Sequence, residues 1–176
     1  MPVANHVHQQ LTIYSTNFDC HERFDVIMSN ENPELVLFPD LDSLRDSYIE
    51  VLGAKWVVFE DHEVPSIDAH GMMESTANLY SAWSVVDGFI EELSNQLSEI
   101  DPEVVITTFY YDEGFNFAGA SKLYDGDMIE IKEHTYDELL ELGLLLPEEL
   151  PEGEEFDPES VRYDADWEKM YDYFDR

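Results

Sequence analysis

The side chains able to do chemistry in this sequence are few and widely spaced. His6 and His8 fall on one face if residues 6–15 form a strand, and a His-x-His pair can open a metal site. Closing one takes further ligands; His21 and His62 are candidates by type, but nothing in the spacing brings them near. Asp112-Glu113, just before Gly114, is a carboxylate pair of the kind used in general acid–base catalysis. In a chain with 41 acidic residues such adjacency arises by chance. Cys20 is the only thiol; it lies in an apolar helical stripe with no basic neighbour to lower its pKa, so it reads as core. There is no EF-hand loop, phosphate-binding loop, GxSxG, HExxH or dinucleotide fingerprint. The expectation is a chain with no catalytic residue, no metal and no cofactor, hence not an enzyme. A metal-dependent hydrolase using histidines and carboxylates is the alternative.

Charge points elsewhere. Eight Lys and Arg face 41 Asp and Glu, a net −33. Like charges gathered by folding repel, and screening over a Debye length of about 8 Å does not remove that cost. A net charge of magnitude about 2 to 8 keeps a small domain dissolved. Solubility and adaptation to high salt are two explanations of the excess; a basic partner is the third, and it leads. Duplex DNA carries one negative charge per ~1.7 Å of axis, so a protein with carboxylates at comparable density can occupy a DNA-binding cleft.

The elements that would carry these groups follow from periodicity. Val7, Leu11 and Ile13 alternate along a strand over 6–15. Asp19 and Glu22 form a capping pair for a helix to about residue 29, with Cys20, Phe24, Ile27 and Met28 as its apolar stripe. Residues 30–39 read as a loop, 41–52 as a helix ended by Gly53, and 55–64 and 72–83 as paired strands. Phe89, Ile90, Leu93, Leu97 and Ile100 mark a helix over 86–100. Strands at 104–112, 115–124 and 128–133 follow, the last two joined at Asp125-Gly126. Thr135 and Glu138 then make a capping box for a helix over 137–142.

With the 41–52 helix set aside as an insertion, the order is βαββαβ plus a hairpin. The expectation is an α+β, ferredoxin-like antiparallel sheet with its main helices on one face. Residues 1–146 would form this domain. Residues 147–176, with twelve acidic and three basic residues, would form an acidic linker and an amphipathic helix. Pro147, Pro151 and Pro158 punctuate the linker, with Asp157-Pro158 as cap and first helical position. Trp167, Met170, Tyr171 and Phe174 at i, i+3, i+4 and i+7 mark the apolar stripe of that helix. It either docks on its own sheet or offers its aromatics to a partner.

Four segments taken together resemble the YubB-like ferredoxin-like domain family of plasmids and phages. They are Asn5-His6-Val7 leading into Leu11-Thr12-Ile13, then Gly53-Ala54-Lys55-Trp56, then Ala82-Trp83-Ser84, and the run from Tyr110 to Gly119. The resemblance spans roughly residues 4–133. It implies the fold and a mobile-element origin, but no activity. Products of such elements often counter host defences, and acidic mimicry of DNA is one established way of doing so.

The functional expectation is therefore an acidic interaction protein of a phage or plasmid, a DNA-mimic-type inhibitor of a basic host protein that normally binds nucleic acid. Its partner-binding residues would be Glu91, Glu92 and Glu99 on the body, with Asp164, Asp166, Trp167, Glu168, Tyr171, Asp172 and Phe174 in the tail. Direct nucleic-acid binding is disfavoured: the strand VVITTFYYD has aromatics, but the chain lacks the cations that neutralise phosphate. Phe109, Tyr110, Phe115 and Phe117 read as packing residues instead. No signal peptide or membrane span is recognisable, and one cysteine suits a reducing cytoplasm. A homodimer through sheet edges is a further possibility.

Overall fold

The strand at the centre of the sheet alternates without a break. In β1 (His6–Ser15), Val7, Gln9, Leu11, Ile13 and Ser15 are buried, and the residues between them are half-exposed. The chain, seen here in a computed structural model that describes residues 5–42, 45–147 and 163–175, builds the remaining elements around this strand. They are α1 (Phe18–Met28), α2 (Pro33–Leu37), α3 (Arg45–Leu52), β2 (Val57–Glu63), β3 (Met73–Ala82), α4 (Asp87–Ser98), β4 (Val105–Asp112), β5 (Phe117–Tyr124), β6 (Asp127–Thr135), α5 (Tyr136–Glu141), β7 (Leu145–Pro147), β8 (Tyr163–Ala165) and α6 (Trp167–Phe174).

Six strands form one sheet in the order β2-β3-β1-β4-β5-β6, with every neighbouring pair antiparallel. The fold is thus α+β. The buried face of β1 meets α1 and α4. Phe24 and Ile27 from α1 join Phe89, Ile90, Leu93 and Leu97 from α4 over Leu11, Ile13, Leu79 and Ile106 of the sheet. A buried polar clamp ties the layers. Gln9 donates to Ser81 Oγ (2.6 Å), and its amide oxygen accepts from the Val86 N–H (3.1 Å) just before α4, satisfying a donor that has no partner within the helix.

The sheet's other face carries a second core over β4 and β5. Phe115, Ala118, Leu139, Leu144, Leu145, Met170 and Phe174 are buried there, with Phe109 and Tyr111 packed against them. The short β7–β8 pair and α6 lie over the β4-β5-β6 half, α6 reaching the edge of β1, and among the described residues no helix packs over β2 and β3 on this face.

Several local expectations are corrected. The N-cap of α1 is Asn17, whose side chain accepts from the Asp19 N–H at 3.0 Å, not Asp19 itself. The expected loop over 30–39 contains α2, whose Pro33 is preset for a first helical turn. Residues 163–165 pair with β7 as a strand, so the tail helix begins at Trp167, capped by Asp166 accepting from the Lys169 N–H. The aromatic spacing also begins at Trp167 and never demanded a longer helix. The linker and its Asp157-Pro158 cap lie outside the described residues. Two turn readings match the structure: Asp125 and Gly126 both have positive φ (52° and 78°), and the Thr135–Glu138 capping box is complete.

Candidate interaction surfaces

Because the apolar stripes of α1 and α4 face the sheet, their acids face away. Asp19, Glu22, Asp87, Glu91 and Glu99 are exposed, and Glu92 is half-buried and accepts from Gln96 Nε2 at 3.3 Å. Arg23, the cation between these helices, spends a donor on Gln96 Oε1 rather than on a carboxylate. Partial desolvation at the first turn of α4, then the charges of Glu91 and Glu133, hold the Asp87 carboxyl above the ordinary aspartate range. Between described side chains, the ion pair made by a lysine or arginine is Lys169 Nζ to Asp166 Oδ2, at 3.8 Å on the opposite face.

The acids of the tail do not join this layer. Asp164, Glu168 and Asp172 are exposed and Asp166 is half-buried, all on the side of the sheet that carries α6. The ten residues expected to act together thus divide between two opposite faces, since α4 packs on one side of the sheet and α6 on the other. The aromatic anchors are also accounted for. Phe174 is 6% exposed, and Trp167 lies 4.8 Å edge-on from Tyr111 and 5.9 Å from Phe115. Phe174 is therefore no free anchor: burial against its own sheet is the stronger use of a large apolar ring. Tyr171, 48% exposed, is the aromatic of this helix left facing solvent.

The uncovered half of the sheet presents a row of rings. His6 stacks on Tyr80 (5.0 Å, 25°) and meets Trp56 edge-on (5.3 Å), while His8 stacks on Tyr111 (5.1 Å, 20°). Two cavities flank Gln10, Phe109 and Tyr171. One, of about 410 Å³, lies between α6 and the sheet, where Lys122 and Lys132 stand opposite Glu130. Lys132 is already committed to the Tyr173 carbonyl (2.9 Å) and ring (3.8 Å). The other, of about 310 Å³, is walled by His8, Glu60, Asp61, Asn78, Tyr111 and Tyr171.

The residues singled out for chemistry are placed apart. His21 and His62 belong to the helix-covered side, away from His6 and His8. His21 is fully buried; its Nε2 donates to the Ser15 carbonyl (3.0 Å), so its Nδ1 accepts from Ser75 Oγ (2.6 Å). His62 contacts Asp25 Oδ1 at 2.8 Å. Among the described residues, no three His, Cys, Asp or Glu are grouped to hold a metal. Asp112 is 2% exposed, and its Oδ2 accepts from the Gly114 and Asn116 N–H groups and from Asn116 Nδ2, fixing the turn before β5. Burial pushes the Cys20 thiol up to about 11. Cys20 is buried in the core, as its place on an apolar stripe had indicated.

Sequence reasoning missed the two acids of the smaller cavity. The available signal was the run Phe59-Glu60-Asp61-His62, where alternation fails because two carboxylates stand together.

No family model and no curated protein matches the sequence. Among solved structures, the chain is similar to protein api92 from Yersinia pseudotuberculosis, of family DUF1281, at 16% identity and a TM-score of 0.35, over 51% of this chain and 29% of that one. It is also similar to a phage SAM lyase in complex with S-methyl-5'-thioadenosine, at 10% identity and a TM-score of 0.24, over 78% of this chain and 94% of the lyase. At these scores neither likeness carries an argument about fold or function.

Proposed function

We propose that this chain is an acidic interaction protein that binds a basic host protein in place of nucleic acid. The observation that carries the reading is the outer surface of α1 and α4. Asp19, Glu22, Asp87, Glu91 and Glu99 stand exposed there, and the intervening cation, Arg23, is bonded to an amide. Such a surface gains free energy when a cationic cleft replaces water and counterions, and association would be fast and salt-sensitive. The protein acts by occupancy rather than catalysis. The saturated turn carboxylate Asp112 and the high-pKa thiol of Cys20 favour that choice.

The fold reading refines in the same direction. We infer that β1, α1, β2, β3, α4 and β4 form a ferredoxin-like unit. The order β2-β3-β1-β4 supports it, because β3 is inserted between two strands joined through a helix. With the resemblance noted in the sequence, this makes a phage or plasmid product acting in the host cytoplasm the favoured origin. A second reading, a homodimer through the sheet edge, is favoured by Ile129 and Ile131 on edge strand β6, which are 56% and 63% exposed.

The test is capture from host lysate across a salt titration, followed by competition of the captured protein with duplex DNA. The expected result is a basic partner, released by salt and by Glu91→Gln with Glu99→Gln, for which DNA competes. Capture indifferent to salt and to DNA would defeat the proposal.

A further inference from the structure

The smaller cavity, which runs from Tyr171 of α6 across β4 and β1 to β2, differs from the larger one in its charge. The larger sets Lys122 and Lys132 among Glu130, Asp172 and Asp175, so most of its acid is offset. The smaller has Glu60 and Asp61 in its wall, and no lysine or arginine among the described residues reaches it.

Its construction follows from a local irregularity. β2 pairs with β3 in register as far as Phe59↔Leu79, then resumes at Asp61↔Asn78, leaving Glu60 as the extra residue of a bulge. In a regular strand, successive side chains point to opposite faces. The bulge suspends that alternation, so both carboxylates border one cavity while Phe59 stays inside against Phe89, ring centroids 5.0 Å apart. Asn78 Nδ2 holds Asp61 Oδ1 at 2.7 Å. Glu60 has no hydrogen bond or ion pair with a described residue. Its field nevertheless reaches the cavity's ring wall: the Tyr111 phenol is raised above its ordinary pKa, by burial first, then by Tyr171, Glu60 and Asp164. The rings of His8, Phe109, Tyr111 and Tyr171 also line the cavity; Tyr111 already stacks with His8 and Phe115, which leaves Tyr171, 48% exposed, as the ring open to a ligand.

Carboxylates on one side and aromatic faces on the other are the two groups that hold a planar cation, the first by forked hydrogen bonds and the second through the ring quadrupole. We propose that this cavity receives an arginine side chain of the basic partner, with the guanidinium between the Glu60–Asp61 bulge and the Tyr171 ring. The inference rests on the basic-partner reading above and adds its specificity: the helix layer supplies attraction of long range, and a partner that wraps around the β2 edge of the sheet places its arginine in the bulge cavity, which selects arginine over lysine. A compact ammonium lacks the planar fork and stacks less well.

The test uses the intact chain with fluorescent oligoarginine and oligolysine peptides of equal length, at physiological ionic strength. The expected result is tighter binding of oligoarginine. Glu60→Gln should weaken it about tenfold through loss of one partner of a desolvated charge pair, and Tyr171→Leu about fivefold through loss of one ring face. Glu103→Gln, which removes the same formal charge from the exposed loop between α4 and β4, outside both surfaces, should cost less than about twofold, because a screened surface charge contributes little. Glu60 and Tyr171 are exposed, so the variants keep the core intact, and circular dichroism would check that. Equal affinity for the two peptides, or equal losses from Glu60→Gln and Glu103→Gln, would overturn the arginine cavity while leaving a general basic partner standing. No binding of either peptide would overturn both.

Discussion

Replacing Met170 by alanine should release α6 from the sheet without unfolding the rest of the protein. Met170 is fully buried in the second core, among Phe115, Leu139, Leu144, Leu145 and Phe174. The change deletes the Cγ, Sδ and Cε atoms. At about 0.8 kcal/mol per methylene-sized group the transfer loss is roughly 2.4 kcal/mol, and the cavity left behind brings the total to about 3 kcal/mol, inside the usual range for such truncations. An eight-residue helix has almost no stability of its own, so the loss falls on docking. The ratio of docked to undocked α6 should drop about a hundredfold, since each 1.4 kcal/mol is about a factor of ten. Native-state hydrogen exchange reads this directly: amides of α6 should exchange about a hundred times faster, while those of β1 and α4 keep their protection. Trp167 emission should shift to the red as its contacts with Tyr111 and Phe115 open. The 48%-exposed Tyr171, changed to alanine, serves as the comparison and should move exchange far less. Unchanged protection of α6, or equal acceleration in β1 and α4, would refute the idea of a separately docked helix.

Three further outcomes follow from the packing. The Tyr110 hydroxyl donates to Glu133 Oε2 at 2.6 Å, and burial first, then that bond, drives its phenol far above the ordinary range, so Tyr110→Phe should cost about 1 kcal/mol in urea unfolding. A Cβ on Gly88 would strike the Val51 carbonyl where α4 crosses α3, so Gly88→Ala should destabilise by about 1–3 kcal/mol. Gly114→Ala, which meets side-chain atoms at 3.3 Å, should be tolerated better in the same thermal melts. Glu138 has its pKa lowered by the His134 contact first, then by its bonds to Thr135. A lowered folded pKa means that its contribution is complete above the ordinary glutamate pKa and is lost as pH falls through the folded value. The α5 amide signals should change over that acid window, and Glu138→Gln should abolish the change.

The division of acids between two faces bears on any account of the charge. A partner touching α1 and α4 does not reach Asp164 or Glu168 unless it wraps around an edge of the sheet. The helix layer and the uncovered half of the sheet are therefore separable by mutation, which is what lets long-range attraction and arginine selection be measured independently.

The sequence by itself determined the secondary structure around the core, because periodicity is local. Val7, Leu11 and Ile13 had to share a face, as did Phe24 with Ile27 and Leu93 with Leu97, and the structure buries each set. Asp125-Gly126 and Thr135–Glu138 likewise carry their turn and cap in their own atoms. The chemistry of isolated residues was legible for the same reason: Cys20 on an apolar stripe became a buried thiol. What the tertiary structure alone decided is which surfaces those residues share. The net charge counts carboxylates but does not place them, and only the packing of α4 and α6 on opposite faces separates Glu91 from Glu168. The aromatic stripe of α6 named residues that want burial without saying where. The sheet settled it: Met170 and Phe174 are buried in the core that Phe109 and Tyr111 pack against, with the Phe109 and Phe174 rings 5.5 Å apart. The bulge at Glu60 depends on the register between β2 and β3. Register is a relation between strands: the run Glu60-Asp61 interrupts alternation locally, but only the pairing with β3 decides that both acids turn to one side.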